Sequence, residues 1–317
     1  MKSIRTAGVD IGTNSVRLLI AEASRTREGL PELRTLQRVM NITRLGQGVD
    51  ERGCLAGAAV ERTLAVLRDY RDLMQAEKVD AWEIAATSAA RDATNAEEFL
   101  REVAEVMGMR PRVLSGREEA QLSFLGSTYD LGPLQPRSGP ILVVDIGGGS
   151  TEIIVGAGGD ILEELSLDVG CVRMSERFLK GDPPDAEDLK EMEDFLHAVI
   201  APHAVRIAGR SPQLMVGLAG TVTTLSGLRQ GLVEYDGDAI HHSWLELEDV
   251  RRLYARLYGL SLAERKEFMC LEPGRADVIV GGTAVLMVLL KEIAWERFLV
   301  SEKDILDGLA ISAMSGR

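Results

Sequence analysis

Twice in this chain an aspartate closes an apolar run and is followed by a turn of Gly, Ser, Thr or Asn. Residues 8–15 read Gly-Val-Asp-Ile-Gly-Thr-Asn-Ser, with Asp10, Gly12, Asn14 and Ser15, and lead into an apolar run that carries Arg17. Residues 143–150, 135 positions later, read Val-Val-Asp-Ile-Gly-Gly-Gly-Ser, with Asp145, Gly147, Gly148, Gly149 and Ser150, and Glu152 stands where Arg17 stands in the first copy. A tight turn of small residues leaves backbone N–H groups pointing outward, and such nests take phosphate oxygens. A strand-end carboxylate beside a nest can hold a divalent cation against those oxygens, which makes Asp145 the expected anchor for Mg²⁺, with Asp10 opposite. A third small-residue turn is expected at 220–224, with Gly220 and Thr221, while 281–283 is a Gly-rich stretch in apolar surroundings that also reads as helix packing. Any one such turn is more often a plain tight turn. The duplication is what points to phosphate.

A pair of adjacent carboxylates adds a second kind of chemistry. Ser115 is placed to cap a helix, and Glu118, three residues on, is placed to return the bond. Glu119 falls one residue later, turned by about 100° around the helix, and is left to face elsewhere. On its own such a residue is a solvated first-turn Glu favoured by the helix dipole; beside a phosphate site it is a candidate general base.

The elements that must position these residues alternate strand and helix. Each Asp-turn unit reads as a β-hairpin, and two of them predict two similar α/β domains, with helices covering mixed sheets. Helices are expected over 55–78, from Asn95 (capping with Glu98) to Gly108, from Ser115, from 181 to about 206, from Val250, from Ser261 with Glu264, and over 302–314. Short strands are expected at 83–87, 112–114, 213–216 and near 298–301.

Composition excludes several classes of function. Thirty-six Lys and Arg against 49 Asp and Glu leave a net charge of −13, and aromatics are 4%, a poor basis for binding nucleic acid. Excess acid is expected on outward helices such as 182–194, with Arg17, Arg91 and Arg275 at the site. Three cysteines, Cys54, Cys171 and Cys270, lie too far apart for a metal-ligand pair and are odd in number, which suggests a reducing compartment. The longest uncharged apolar run, 278–290, is short of the roughly 20 residues that a membrane span needs. A cytoplasmic protein without membrane or nucleic-acid partners is the expectation, and the four histidines are assigned no chemistry.

The paired Asp-Ile-Gly motifs, with Ser-Gly-Arg-Glu-Glu-Ala at 115–120 between them, resemble the exopolyphosphatase and guanosine pentaphosphate phosphohydrolase family, in its short two-domain form. The resemblance spans the chain and includes Ala-Thr-Ser-Ala-Ala-Arg-Asp-Ala at 86–93, Gly-Leu-Ala-Gly-Thr-Val-Thr-Thr at 217–224 and Arg-Ala-Asp at 275–277. It implies an α/β fold of two actin-like (ribonuclease H-like) domains with a cleft between them, drawn here as 1–118 plus 302–317 and 119–301. It also implies that Glu119 is the general base, that Arg91 is a phosphate ligand able to steady charge on the leaving group, and that Glu152 serves in metal binding or water activation. Arg17 and Arg275 match positions that contact polyphosphate or guanosine polyphosphate.

The implied activity is release of terminal orthophosphate from inorganic polyphosphate or guanosine pentaphosphate, assisted by Mg²⁺ or another divalent cation. Shorter polyphosphate chains are the expected preference, because the cations available for a long channel are scattered. A homodimer is left open. Two alternatives stand beside this: an ATP-dependent kinase or ATPase of the actin-like superfamily, suggested by 217–224, and a non-catalytic sensor of guanosine tetra- or pentaphosphate.

Overall fold

The structure is a computed structural model and describes residues 3–158, 160–268 and 270–315. The chain divides into two compact units, Met1–Gly132 with Lys303–Arg317, and Pro133–Glu302. Glu119 and its helix therefore belong to the first unit.

The first unit is built on β1 (Ile4–Ile11), β2 (Ser15–Arg25), β3 (Pro31–Ile42), β4 (Ala81–Ala86) and β5 (Arg112–Val113). They lie in the order β3-β2-β1-β4-β5. β1, β2 and β3 form an antiparallel meander, and β4 and β5 continue parallel to β1. Alternation along β1 and β2 sends side chains to two covered faces. On one, Val9, Ile11 and Leu18 pack with Leu67 and Tyr70 of the Gly57–Ala76 helix and Phe99 and Val103 of the Ala96–Met107 helix. On the other, Leu19 and Ala21 pack with Leu306 and Ala310 of the Ile305–Ser315 helix. Both faces being buried explains why β1 and β2 read as nearly continuous apolar runs. β3 is absent from the sequence expectation because Glu32, Arg34, Gln37 and Arg38 give it the composition of a solvated edge.

The second unit repeats that order. β6 (Ile141–Ile146), β7 (Thr151–Ala157) and β8 (Asp160–Leu167) form the meander, and β9 (Leu214–Leu218) runs parallel to β6. β11 (Arg297–Val300) runs parallel to β9, and β10 (Trp244–Glu246) caps that edge antiparallel. The core centres on the Ile279–Glu292 helix, in which every residue from Ile279 to Leu290 is buried. The Gly281-Gly282-Thr283 stretch is thus helix packing: a Cβ on Gly281 would meet Ser175 Oγ at 2.5 Å, and one on Gly282 would meet Thr221 Oγ1 at 2.3 Å. Each unit is a mixed sheet flanked by helices, as the duplicated hairpin predicts. Among the described residues no helix is long and apolar enough to cross a membrane.

Several local expectations change. Asn95 heads its helix but makes no side-chain cap. Its amide instead accepts from Leu55 N at 2.8 Å and donates to Leu55 O at 3.1 Å, which ties two segments together. The expected turn at 220–224 is the start of a helix, Ala219–Gln230, because Ala219 takes a left-handed φ of 65° directly after β9 and starts the helix at once. Not all of the acid at 182–194 faces outward: Asp188 is buried and accepts from Lys180 N, and Asp182 accepts from Leu262 N and Arg265.

The Ile305–Ser315 helix sits unusually close to its neighbours in the first unit. A Cβ on Gly126 would lie 1.8 Å from Asp304 O and 2.6 Å from Gly308 N, and one on Gly308 would lie 2.2 Å from Leu122 O. The obstructing atoms are backbone, so no rotamer change relieves them. Gly126→Ala is expected to cost at least about 3 kcal/mol, a fall in Tm of roughly 6–12 °C by calorimetry. Gly57→Ala, which meets nothing within 4 Å, is the control and should be neutral or slightly stabilising.

Candidate active site

In the first unit the hairpin places Asp10 directly opposite Arg17. Arg17 Nε and Nη2 both donate to Asp10 Oδ2, at 3.0 and 2.7 Å. Asp10 is 4% exposed, and its other oxygen, Oδ1, is buried without a hydrogen-bond partner among the described residues. Burial raises the Asp10 carboxyl above the usual carboxylate range, outweighing the lowering by Arg17, while Asp304 nearby adds to the rise. The turn closes with Gly12 N donating to Ser15 O at 3.0 Å. Asn14 and Ser15 are half-buried, and the Asn14 carbonyl accepts from Thr43 N and Arg44 N.

A second junction lies beside this turn. Thr13 Oγ1 is 2.8 Å from Ser88 Oγ, linking the turn to the Ser88–Asp92 helix that carries Arg91. Arg91 Nη1 donates to Leu114 O at 2.9 Å and lies 3.4 Å from Glu119 Oε2. Ser115 and Glu118 form the expected capping box, which holds the Glu118 carboxyl below its ordinary range. Glu119 is not a solvated first-turn residue. It is 9% exposed and faces Arg91, and so the two residues expected to act on water and on phosphate are brought into contact.

In the second unit Asp145 and Glu152 are directly opposite one another on adjacent strands, 7% and 1% exposed. Glu152 Oε1 accepts from Ser166 Oγ at 2.9 Å. Two buried carboxylates on one face repel each other unless a cation or proton lies between them. All-oxygen donors of this type fit a hard divalent cation, and the partnerless Asp10 oxygen fits one as well.

The 147–150 turn is held through its carbonyls. Gly147 O accepts from Cys171 N, Gly148 O from Val172 N and Arg173 N, and Gly149 O from Arg173 Nε, all at 2.9–3.1 Å. The amides of Gly148, Gly149 and Ser150 donate to no acceptor among the described residues, leaving three successive N–H groups for an anion. The Ala219–Gln230 helix supplies more open amides in its first turn, with Thr221 buried there. Arg275 lies against that turn: a Cβ on Gly220 would be 2.1 Å from its Nη1. A cation at a helix N-terminus runs against the helix dipole, an arrangement that an anion between them reverses. The buried Cys171 thiol is pushed up to about 11 by desolvation, against the opposing pull of Arg275 and Thr221. It stays protonated at neutral pH, which removes it as a nucleophile.

The model of the Ppx/GppA phosphatase family matches residues 22–315. This chain belongs to that family. It is similar to Exopolyphosphatase 2 of Mycobacterium tuberculosis, 40% identical over 323 aligned residues that cover 98% of this chain and 99% of that one. A solved exopolyphosphatase-like protein is 35% identical with a TM-score of 0.88, covering 96% of this chain and 97% of its own. The Aquifex aeolicus Ppx/GppA family member is 32% identical with a TM-score of 0.81, covering 99% and 98%.

Some residues of this Ppx/GppA chain that shape the site escape a sequence reading. Thr13 and Ser88 lie in quoted motifs, but their mutual bond does not show in either. Arg173 follows the 147–150 turn by more than 20 positions, and only the packing of the Cys171–Phe178 helix brings it to Gly149. Asp304 and Asp307 carry a readable signal, the Asp-x-x-Asp of a helix start, yet their pairing with Arg17 and Arg38 joins positions more than 250 residues apart.

The protonated, buried state of Cys171 has a direct check. Iodoacetamide at pH 8 is expected to modify the half-buried Cys54 in the folded protein and to leave the buried Cys171 and Cys270 intact, as read by peptide mass spectrometry. Labelling at Cys171 should rise only as pH approaches 11 or when urea unfolds the chain. Prompt modification of Cys171 at pH 8 would contradict this environment.

Proposed function

We propose that this chain hydrolyses terminal phosphoanhydride bonds, releasing orthophosphate from inorganic polyphosphate or guanosine pentaphosphate. The observation that carries the reading is the contact of the buried Glu119 with the half-buried Arg91: a carboxylate removed from solvent can take a proton from water, and the guanidinium beside it can bind the phosphoryl group under attack. The names of the exopolyphosphatase relatives support the substrate class. Both substrates present the same terminal anhydride.

In this reading Glu119 activates the water, and Arg91 steadies the charge that develops during transfer. The N–H groups of 148–150, the first turn at Gly220 and Thr221, and Asn14, Ser15, Arg17 and Arg275 bind phosphate. Asp145 and Glu152 of the second unit would hold Mg²⁺, which when bound neutralises phosphate oxygens, and Asp10 of the first unit is likewise proposed as a metal ligand. Glu152 keeps its orientation through Ser166. The two compact units are proposed as the two actin-like domains. A cytoplasmic setting, without nucleic-acid or membrane partners, accords with the net charge of −13 and the unpaired cysteines. That charge does not oppose a polyanionic substrate, because local amides, arginines and a cation set the potential at the site.

Pure protein incubated with Mg²⁺ and medium-chain polyphosphate, guanosine pentaphosphate or ATP should release phosphate from one or both of the first two. Release from ATP alone would favour a kinase-like ATPase, and release from none a sensor; either result overturns the proposal. Glu119→Gln should lower kcat by about 10²–10⁴-fold while leaving the circular dichroism spectrum unchanged. Wild-type turnover in that variant would refute the assigned base. EDTA should abolish release and Mg²⁺ restore it, with Asp145→Asn needing more Mg²⁺ for half-maximal rate.

A further inference from the structure

The Ile305–Ser315 helix begins with a reciprocal cap. Asp304 Oδ1 accepts from Leu306 N at 3.0 Å, and Asp307 Oδ2 accepts from Asp304 N at 3.1 Å. Capping alone does not require these residues to be charged, since Asn or Ser caps as well as Asp. Both carboxylates are nevertheless buried, at 4% and 0% exposure, where an ionised group persists only if it is paired.

Their charged partners come from the first sheet. Arg17 Nη1 donates to Asp304 Oδ2. Arg38 donates to Asp307 Oδ2 and lies 3.6 Å from Asp304 Oδ1. Lys303 Nζ and Tyr129 OH reach Asp307 Oδ1 at 3.7 and 3.4 Å. The register explains the meeting: Leu19 pairs with Arg38, so Arg17, Leu19 and Arg38 share the face that the Ile305–Ser315 helix covers.

We propose that Asp304 is a positioning residue that fixes the Arg17 guanidinium, with Arg38 bracing Asp304 from the far side. A guanidinium is a planar fork of five donors. Here Nε and Nη2 engage Asp10 while Nη1 engages Asp304, and a plane held at both ends cannot turn about the side-chain axis. The orientation in which Arg17 meets an anion, and the charge presented beside Asp10, are thereby set by a residue 287 positions away in sequence. The functional part of this inference rests on reading Arg17 as a phosphate contact.

Asp304→Asn separates positioning from capping, because Asn keeps the cap and loses the charge. The variant is expected to remain folded and to lose at least tenfold in kcat/KM on polyphosphate. In an Arg17→Lys background the same change should cost less than twofold, since the fork it holds is already gone. Wild-type kcat/KM for Asp304→Asn, or full additivity with Arg17→Lys, would overturn the proposal.

A second measurement does not depend on turnover. The Arg17 Nε–H resonance of the wild-type protein, assigned by its loss in Arg17→Lys, should be resolved and slowly exchanging at pH 7.5. A fast-exchanging, averaged signal would overturn the fixed fork directly. If the wild-type protein releases no phosphate from any substrate, the reading of Arg17 as a phosphate contact falls, while comparison of this resonance between the wild-type protein and Asp304→Asn still decides whether Asp304 holds the fork.

Discussion

The first unit depends on how its closing segment returns to it. The Ile305–Ser315 helix lies against Gly8 of β1 and Gly126 of the Gly116–Thr128 helix at distances that leave no room for a Cβ. That approach brings the head of the helix, with Asp304 and Asp307, over the β2 and β3 face that carries Arg17 and Arg38. It also fixes the Gly116–Thr128 helix on whose first turns Glu119 stands. Tight backbone packing is thus coupled to the placement of charge: the glycines permit the approach, and the buried ion pairs require it, since a carboxylate withdrawn from water without a partner would cost several kcal/mol.

The second unit solves the same topological problem with different chemistry. Its hairpin has the same register as the first, but Glu152 replaces Arg17 opposite the strand-end aspartate. One copy therefore neutralises its aspartate internally, and the other concentrates negative charge that suits a divalent cation. The turn following each aspartate is anchored through its surroundings, by Thr13 to Ser88 in one copy and by Gly147, Gly148 and Gly149 carbonyls to the Cys171–Phe178 helix in the other. Holding the second turn by its carbonyls leaves its amides for a ligand.

The net charge of −13 does not describe the surroundings of individual arginines, several of which are partly buried. Arg17, Arg38, Arg91, Arg173 and Arg275 each sit against carboxylates, carbonyls or a helix start. In a medium of reduced dielectric such groups act more strongly than the exposed acids that dominate the sum.

The sequence by itself determined much of this protein. Apolar runs ending in Asp and small residues could only be buried strand followed by tight turn, and their repetition specified two similar units. The Ser115–Glu118 box was legible because capping is local, reaching three residues. What failed were elements whose character is decided by distant partners. β3 looked like solvated chain because an edge strand is recognised by what it pairs with. Asn95 bonded Leu55 in place of its own helix, and 220–224 became helix because Ala219 adopts a backbone conformation that residue type does not announce. The burial of Glu119 against Arg91 and the clamp of Asp304 on Arg17 belong to tertiary structure alone. Local spacing fixes hydrogen bonds within a turn, but ion pairs across tens or hundreds of residues exist only once the packed core has brought their strands and helices together.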